Sequence, residues 1–343
     1  MRAVRYRVHG GAEVLETVEL PARAAAPGQV VVAVRAVGVN RLDVLQRAGP
    51  PLLPGFGLPH IPGMDIAGVV VERGPGVTTV ETGTRVVVKP GVHCGTCAMC
   101  QAGDDRHCPA VRVVGGSEDG GYAEQCEVPA SHVFPIPDHI SFTEAATVPT
   151  ACSTAWRALF GTGELRLGET VVIHGAGSGV SVIALQLAKR AGANVVVTSR
   201  SDEKLERSLA LGADLAVNHR TDDLVAAVER HTDGRGADMV VDHVGPALFG
   251  ASLRCLRPRG RLVVCGTTTG AEVTVPLPQL YHRGIKLLGV DSQSYAEFVD
   301  MLEFYWRGGF EAVVDSELPL EDAADAHRRM EKGDVFGKLV LRP

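Results

Sequence analysis

Val171-Val-Ile-His-Gly-Ala-Gly-Ser-Gly-Val-Ser-Val-Ile-Ala-Leu-Gln-Leu-Ala-Lys189 decides the fold. Val171 to Ile173 is an apolar run, Gly175, Gly177 and Gly179 make a Gly-rich turn, and the residues beyond carry helical periodicity. Glycine lets the backbone turn tightly and approach a ligand. A helix start offers unpaired N–H groups, and its dipole favours an anion there. The stretch therefore reads as a phosphate cradle formed by Gly175, Ala176, Gly177, Ser178, Gly179 and Val180. A Gly-rich turn alone is weak evidence, because turns of α/β proteins are rich in glycine. Context strengthens it: Asn194 to Thr198, a β-branched run, follows at the distance a βαβ unit requires.

Outward from that unit, strands and helices alternate. A helix is predicted from Ser201 to a stop at Gly212, with Asp202 and Glu203 in its first turn. Leu224–His231 and Leu248–Leu256 read as helices, and Met239–Asp242 and Arg261–Cys265 as strands. Such alternation means a parallel sheet covered by helices on both faces. Upstream the texture is different. Glu13–Leu20, Gln29–Val37, Ile66–Val71 and Thr84–Val88 are short β-branched runs broken by Pro27-Gly28 and Gly74-Pro-Gly76, which suggests a small barrel-like β domain. Asn40–Arg47 is a short helix candidate, and Gly49 to Pro62 is too rich in Pro and Gly for regular structure. Ser141-Phe-Thr-Glu144 has the form of a capping box, and Pro149–Leu159 reads as a helix with proline in its first turn. Helices near Tyr295–Arg307 and Leu320–Glu331 and a strand Lys338–Leu341 follow the Rossmann-like part.

The chain has 343 residues, enough for two domains, and a formal net charge of −6, which gives no reason to expect nucleic acid or an anionic membrane as partner. No apolar run approaches the roughly 18 residues of a membrane span, and Met1-Arg-Ala-Val-Arg-Tyr6 lacks a signal-peptide core, so a cytoplasmic location is expected. Four of the eight cysteines crowd together as Cys94-x2-Cys97-x2-Cys100-x7-Cys108. Four soft thiolates complete a tetrahedral zinc shell and leave no position for substrate, so the expected metal is one structural Zn2+ per chain. An iron–sulfur cluster also takes four thiolates, but nothing else in the chain suggests electron transfer.

In this order of parts the chain resembles the medium-chain dehydrogenase/reductase superfamily, which includes zinc alcohol dehydrogenases and quinone oxidoreductases. The markers are Gly63-Met-Asp-Ile-Ala-Gly-Val-Val70, Gly120-Gly-Tyr-Ala-Glu124, Pro135-Ile-Pro-Asp138, Asp242-His-Val-Gly245 and Gly337-Lys-Leu-Val340, besides the Gly-rich turn. The resemblance implies an α/β protein with a GroES-like β-rich catalytic domain and a Rossmann domain with a doubly wound parallel sheet. The expected boundaries are 1–148, with the zinc loop at 92–109, then 149–289 for the Rossmann NADP-binding domain, and 290–343 as a return that completes the catalytic domain. Relatives with a catalytic zinc hold it by Cys, by the His of Gly-His-Glu, and by a later Cys. Here the aligned positions hold Asn40, Met64 with Asp65, and Thr150, of which only Asp65 is a good zinc ligand. Cys152 and His60 lie near enough in sequence to leave a rearranged zinc site open.

Alcohol oxidation in the superfamily needs a metal to stabilise an alkoxide. Hydride addition to an electron-poor alkene or quinone needs only hydrogen-bond donors for an enolate oxygen. The zinc-free quinone oxidoreductases share Asn in Gly38-Val-Asn-Arg-Leu-Asp43, which makes Asn40 the candidate donor. Those relatives often carry a Tyr soon after this helix, whereas Gly49-Pro-Pro-Leu-Leu53 has none, so the proton donor stays open among Asp43, Asp65 and water. Helix capping or loop bracing is an equal reading for either carboxylate.

The tip of the second strand chooses the cofactor. Ser199 stands where NAD-binding folds place an acid, and Arg200, with Ser199, Ser201 and Lys204, suits a 2′-phosphate, so NADPH is expected. By resemblance Thr154, Val244, Gly266, Thr267 and Lys338 also bind cofactor. Ser181 stands near the glycine that normally lets helix and strand pack closely, so slight local spreading is expected. Together these features suggest an NADPH-dependent reductase of an apolar quinone or α,β-unsaturated carbonyl. The alternatives are a zinc alcohol dehydrogenase with a rearranged ligand set and a non-catalytic NADPH-binding protein. A homodimer or tetramer, paired through a strand near Gly284–Val290, is implied by resemblance alone.

Overall fold

The computed structural model describes Met1–Pro343 and divides into two compact units. One comprises Met1–Ala151, Ser294–Leu302 and Ala312–Pro343; the other comprises Cys152–Gln293 and Glu303–Glu311. No helix is long and apolar enough to cross a membrane.

In the second unit six parallel strands form one sheet. From edge to edge they are Leu215–Asn218, Asn194–Ser199, Thr170–Ile173, Ala237–Asp242, Leu256–Val264 and Lys286–Gly289. The chain winds outward first in one direction and then in the other, so the order reverses beside Thr170–Ile173, the point where open α/β sheets bind ligands. Central strands covered on both faces read as continuous apolar runs, and Val171, Val172 and Ile173 are fully buried. The helix Gly179–Arg190 starts at the cap of Ser178, whose side chain accepts from the Ser181 N–H, and ends with Lys189 and Arg190 in its last turn. The Ser201-capped helix spans Asp202–Ala210, with Gly212 just beyond it at φ +101°.

The first unit is β-rich. Its main sheet runs Val314–Pro319, Lys338–Arg342, Gln29–Gly38, Asp65–Arg73, Arg85–Val88 and Val133–Pro135, with Gln125–Pro129 also paired to Gln29–Gly38. Buried Val30, Val32, Val34, Val37, Ile66, Val86, Leu339 and Leu341 join one apolar cluster inside it. Gly38 is required by close approach: a Cβ there would lie 2.2 Å from the Ala146 carbonyl oxygen.

Several expected boundaries shift. The run from Glu13 opens as a 3-10 turn, Ala12–Val14, because the Gly11 N–H bonds the Glu13 carboxylate, and the strand is only Glu16–Glu19. The Pro149 helix is regular over Pro149–Trp156 and continues as a π-helical turn over Arg157–Thr162. The capping box at Ser141 is present, but its helix is one turn, Phe142–Ala145. Leu215–Asn218 and Val314–Pro319 were not expected as strands; both are sheet edges, where half-exposed residues blur the apolar pattern.

Candidate functional site

At the carboxyl ends of the Rossmann strands the Gly-rich turn is held by an imidazole. Gly175 has φ +66°, and a Cβ there would come within 2.6 Å of the His243 ring. His243 Nε2 lies 2.9 Å from Ser181 Oγ and 3.1 Å from Ser178 Oγ. The Ser181 hydroxyl donates to the His174 carbonyl oxygen at 2.7 Å and the Ser178 hydroxyl to Ser181 Oγ at 2.8 Å, so His243 Nε2–H must be the donor of its pair. Burial holds the His243 pKa below its usual value, which keeps this arrangement neutral. Ser181, at the position usually held by glycine, is thus a buried hydrogen-bonding centre between helix and strand. Val244, Gly266 and Thr267 follow the neighbouring strands at the same end of the sheet, where the Thr269 N–H bonds the Val244 carbonyl oxygen. Thr154 lies on the Pro149 helix. A turn with positive-φ glycines before a 12-residue helix fits the pyrophosphate of a dinucleotide.

At the tip of the adjacent strand Ser199 Oγ accepts from the Ser201 N–H at 3.1 Å. Arg200 is exposed, and Lys204 sits in the first turn of the next helix. Asp202, the nearest acid, accepts from Asn218 Nδ2 at 2.7 Å and is thereby turned toward the neighbouring strand. Cationic groups remain at the tip, and they suit a phosphate better than ribose hydroxyls.

The first unit holds a second polar cluster. Asn40 ends the crossing from strand Gln29–Gly38, Asp65 begins Asp65–Arg73, and Lys338 begins Lys338–Arg342. These strands are neighbours, with Gly38 opposite Asp65 on one side and Val340 on the other, so residues far apart in sequence meet. Lys338 Nζ donates to Asn40 Oδ1 at 2.6 Å and to Asp65 Oδ2 at 2.9 Å. Asp65 Oδ1 accepts from the Thr150 N–H at 2.9 Å and from Thr150 Oγ1 at 2.5 Å. Both oxygens of Asp65 are therefore engaged, and Met64 is core at 2% exposure. An ammonium can only donate, so it fixes Oδ1 of Asn40 toward Lys338 and leaves Nδ2 as the donor end of the amide. Nδ2 makes only a long contact, 3.5 Å, to the Gly38 carbonyl oxygen.

Asp43 lies one helical turn on. Its Oδ2 accepts from the Asn40 N–H at 2.7 Å in a capping box that starts the helix Arg41–Ala48. Burial pushes its pKa up to about 7 against the backbone hydrogen bond from Asn40. No tyrosine follows this helix, but Tyr6 and Tyr122 come from elsewhere to stand beside Asp43; both phenols are raised by burial first and by its charge second. Arg47, on the same helix, donates toward His327 Nδ1 at 3.4 Å and pairs with Glu331. Nε2–H of His327 then donates to Tyr122 Oη at 3.0 Å, leaving the Tyr122 hydroxyl hydrogen for Asp43. Burial, with Arg47 adding to it, lowers the His327 pKa to about 3, so the imidazole stays neutral. Sequence reasoning missed His327 and Arg47 altogether. Arg47 left one signal, its i+4 spacing from Asp43; His327 left none.

The sulfurs of Cys94, Cys97, Cys100 and Cys108 all lie within 4.8 Å of one another. Four sulfurs about 2.3 Å from a tetrahedral ion would be about 3.8 Å apart, so the set fits zinc. The Thr96 and Cys97 N–H groups donate to Cys94 Sγ at 3.5 and 3.3 Å, and the Cys94 N–H to Cys108 Sγ at 3.4 Å. The bonds that Cys94 Sγ accepts, from the Thr96 N–H first and the Cys97 N–H next, bring the Cys94 thiol down to about 5. Cys100 moves up to about 12, by desolvation first, as neighbouring thiols cannot all ionise without a cation.

Residues 26–138 match the alcohol dehydrogenase GroES-like domain and residues 179–307 the zinc-binding dehydrogenase family. An alcohol dehydrogenase of Geobacillus stearothermophilus is 37% identical over 318 residues, 92% of each chain. A crystal structure of an NAD-dependent alcohol dehydrogenase superposes with a TM-score of 0.96 at 41% identity, covering 100% of both chains. The Escherichia coli quinone oxidoreductase complexed with NADPH superposes with a TM-score of 0.85 at 27% identity, also covering 100% of both.

Proposed function

Because this chain belongs to the medium-chain dehydrogenase/reductase superfamily of oxidoreductases, we propose that it reduces a quinone or an α,β-unsaturated carbonyl compound with NADPH, without a catalytic zinc. The observation that carries this reading is the Asn40–Lys338–Asp65–Thr150 cluster. Where metal-dependent relatives hold zinc ligands, this chain has an amide, a thioether, a hydroxyl and a carboxylate with both oxygens already hydrogen-bonded. Zinc prefers thiolate, imidazole or a free carboxylate, so that set does not fit it. The four-cysteine loop is the zinc site, and its closed shell gives the ion a structural role.

NADPH, when bound, supplies a hydride. The Gly-rich turn cradles its pyrophosphate, and Arg200 with Ser199 and Lys204 takes the 2′-phosphate. Asn40 Nδ2 donates a hydrogen bond to the substrate oxygen, and this bond strengthens as negative charge grows there.

Two measurements test the reading. Purified protein should carry one zinc per chain, and should oxidise NADPH with a panel of quinones and enones. Asn40→Ala should lower kcat about a hundredfold to a thousandfold, the usual loss for one oxyanion donor. Two zincs per chain, with alcohol oxidation abolished by mild chelation, would instead establish the metal-dependent alcohol dehydrogenase reading.

A further inference from the structure

Strand Ala237–Asp242 runs parallel to Thr170–Ile173 with Val241 opposite Ile173. Carried two residues further, that register brings His243 beside Gly175, the first glycine of the turn. Contact follows: a Cβ on Gly175 would lie 2.6 Å from the imidazole Cε1 and 2.9 Å from Nε2, so the ring rests directly on the Gly175 backbone. The same ring reaches the far end of the turn. Its Nε2 lies 3.1 Å from Oγ of Ser178, the cap of the helix Gly179–Arg190, and 2.9 Å from Oγ of Ser181 in the first helical turn. One side chain thus touches both the entry and the exit of the turn.

We propose that His243 is a positioning residue for the bound dinucleotide: by clasping the turn at both ends it holds the turn's free N–H groups in the arrangement that receives a pyrophosphate. The proposal lies wholly within the Rossmann unit, and it rests on the reading above only in that a nicotinamide dinucleotide binds this turn.

The turn needs such a clasp. Gly175 and Gly177 hold φ of +66° and +96°, and glycine gives up more conformational freedom than any other residue when it is fixed. The N–H groups of Gly177, Gly179 and Val180 have no acceptor within the chain, and Ser178 stands among them. A serine hydroxyl can rotate among three staggered positions. Here Ser178 Oγ accepts from the Ser181 N–H at 3.0 Å, its hydroxyl donates to Ser181 Oγ at 2.8 Å, and the imidazole N–H fixes both serines. A loop already ordered in its bound form does not have to be ordered by the ligand, and affinity rises accordingly.

A merely structural His243 would stabilise the unit without choosing between ligands, so the test compares two. ADP-ribose carries the pyrophosphate; adenosine 2′-phosphate carries only the groups expected at the strand tip. In calorimetric titrations His243→Phe, which keeps a ring but loses the N–H, should weaken ADP-ribose at least tenfold and change adenosine 2′-phosphate less than threefold. His243→Gln, whose Nε2–H can still reach the serines, should bind ADP-ribose within threefold of the wild type. A wild-type readout covers a His243→Phe that does not fold. NMR of nitrogen-labelled histidine in the ligand-free protein, with His243→Gln identifying the signal, should show His243 as the Nε2–H tautomer. Unchanged ADP-ribose affinity in His243→Phe, an equal loss for both ligands, a loss in His243→Gln as large as in His243→Phe, or the Nδ1–H tautomer would each overturn the proposal. A wild type that does not bind ADP-ribose would overturn the dinucleotide reading and this role with it. A wild type that binds ADP-ribose but not adenosine 2′-phosphate would overturn the NADPH preference alone, and ADP-ribose with the tautomer then decides the role of His243.

Discussion

A carboxyl group as deeply buried as Asp43 couples the first unit to pH. Its folded pKa, about 7, lies above the ordinary 3.8, so between those values the native state binds more protons than the unfolded chain. Its contribution therefore falls as pH rises through that window and levels off above it. In Asp43→Asn the carboxamide oxygen can still accept from the Asn40 N–H, but nothing titrates. Urea unfolding from pH 4 to 7 should show the variant gaining on the wild type by up to about 1.4 kcal/mol per pH unit. Parallel curves for the two proteins would contradict the assignment. At the strand tip, Arg200→Ala removes a charge-assisted bond to a phosphate. It should raise KM for NADPH about tenfold to a hundredfold and leave KM for NADH nearly unchanged. An equal effect on both cofactors would count against a 2′-phosphate at this tip.

The helix Gly179–Arg190 docks on its strands through Ser181 where relatives pack bare glycine. Ser181→Ala leaves the His174 carbonyl oxygen without its donor and the Ser178 hydroxyl without its acceptor, and the His243 N–H with only its longer contact to Ser178 Oγ. It should cost about 1–3 kcal/mol in urea unfolding, and a value near zero would mean that water replaces the hydroxyl. This element also shows what sequence reading could and could not reach. The strand–turn–helix was legible because glycines, a serine cap and an unbroken apolar strand are local signals. Four cysteines at short spacing were legible for the same reason. The Ser181 departure was visible, but its compensation by His243 was not, because that partner lies 62 residues away and is chosen by the crossing of two strands. Lys338 was expected at the cofactor on resemblance alone. Its partnership with Asn40 and Asp65 depends on strand pairing across 298 and 273 residues, which no local pattern encodes. His327 and Arg47 were hidden likewise, since a buried charge or imidazole reads in sequence as a solvated helix face.

At the scale of the whole molecule, the strand Lys286–Gly289 is an open edge of its sheet, with Leu287 38% exposed. Unpaired edges invite a partner strand, and a second copy of this chain is the proposed one. Sedimentation should give a dimer, and Leu287→Lys should shift it toward monomer with NADPH binding retained. A wild-type monomer would remove this edge as an interface. The pairing of Lys338–Arg342 with Gln29–Gly38 carries a consequence for biogenesis. A ribosome makes the long strand Gln29–Gly38 some three hundred residues before the strand that pairs beside it, whereas nearly all of the Rossmann sheet's partners emerge within one continuous stretch. The Rossmann unit can thus mature first, while Asn40 and Asp65 wait without their cation. Closing so long a loop is slow in onset, though doubling its length adds only about 0.6 kcal/mol of entropy. The nascent β-rich unit, in which Gln125–Pro129 already covers Gln29–Ala33 but Val37 and Gly38 still lack their C-terminal neighbour, is the form of this protein on which a chaperone would act.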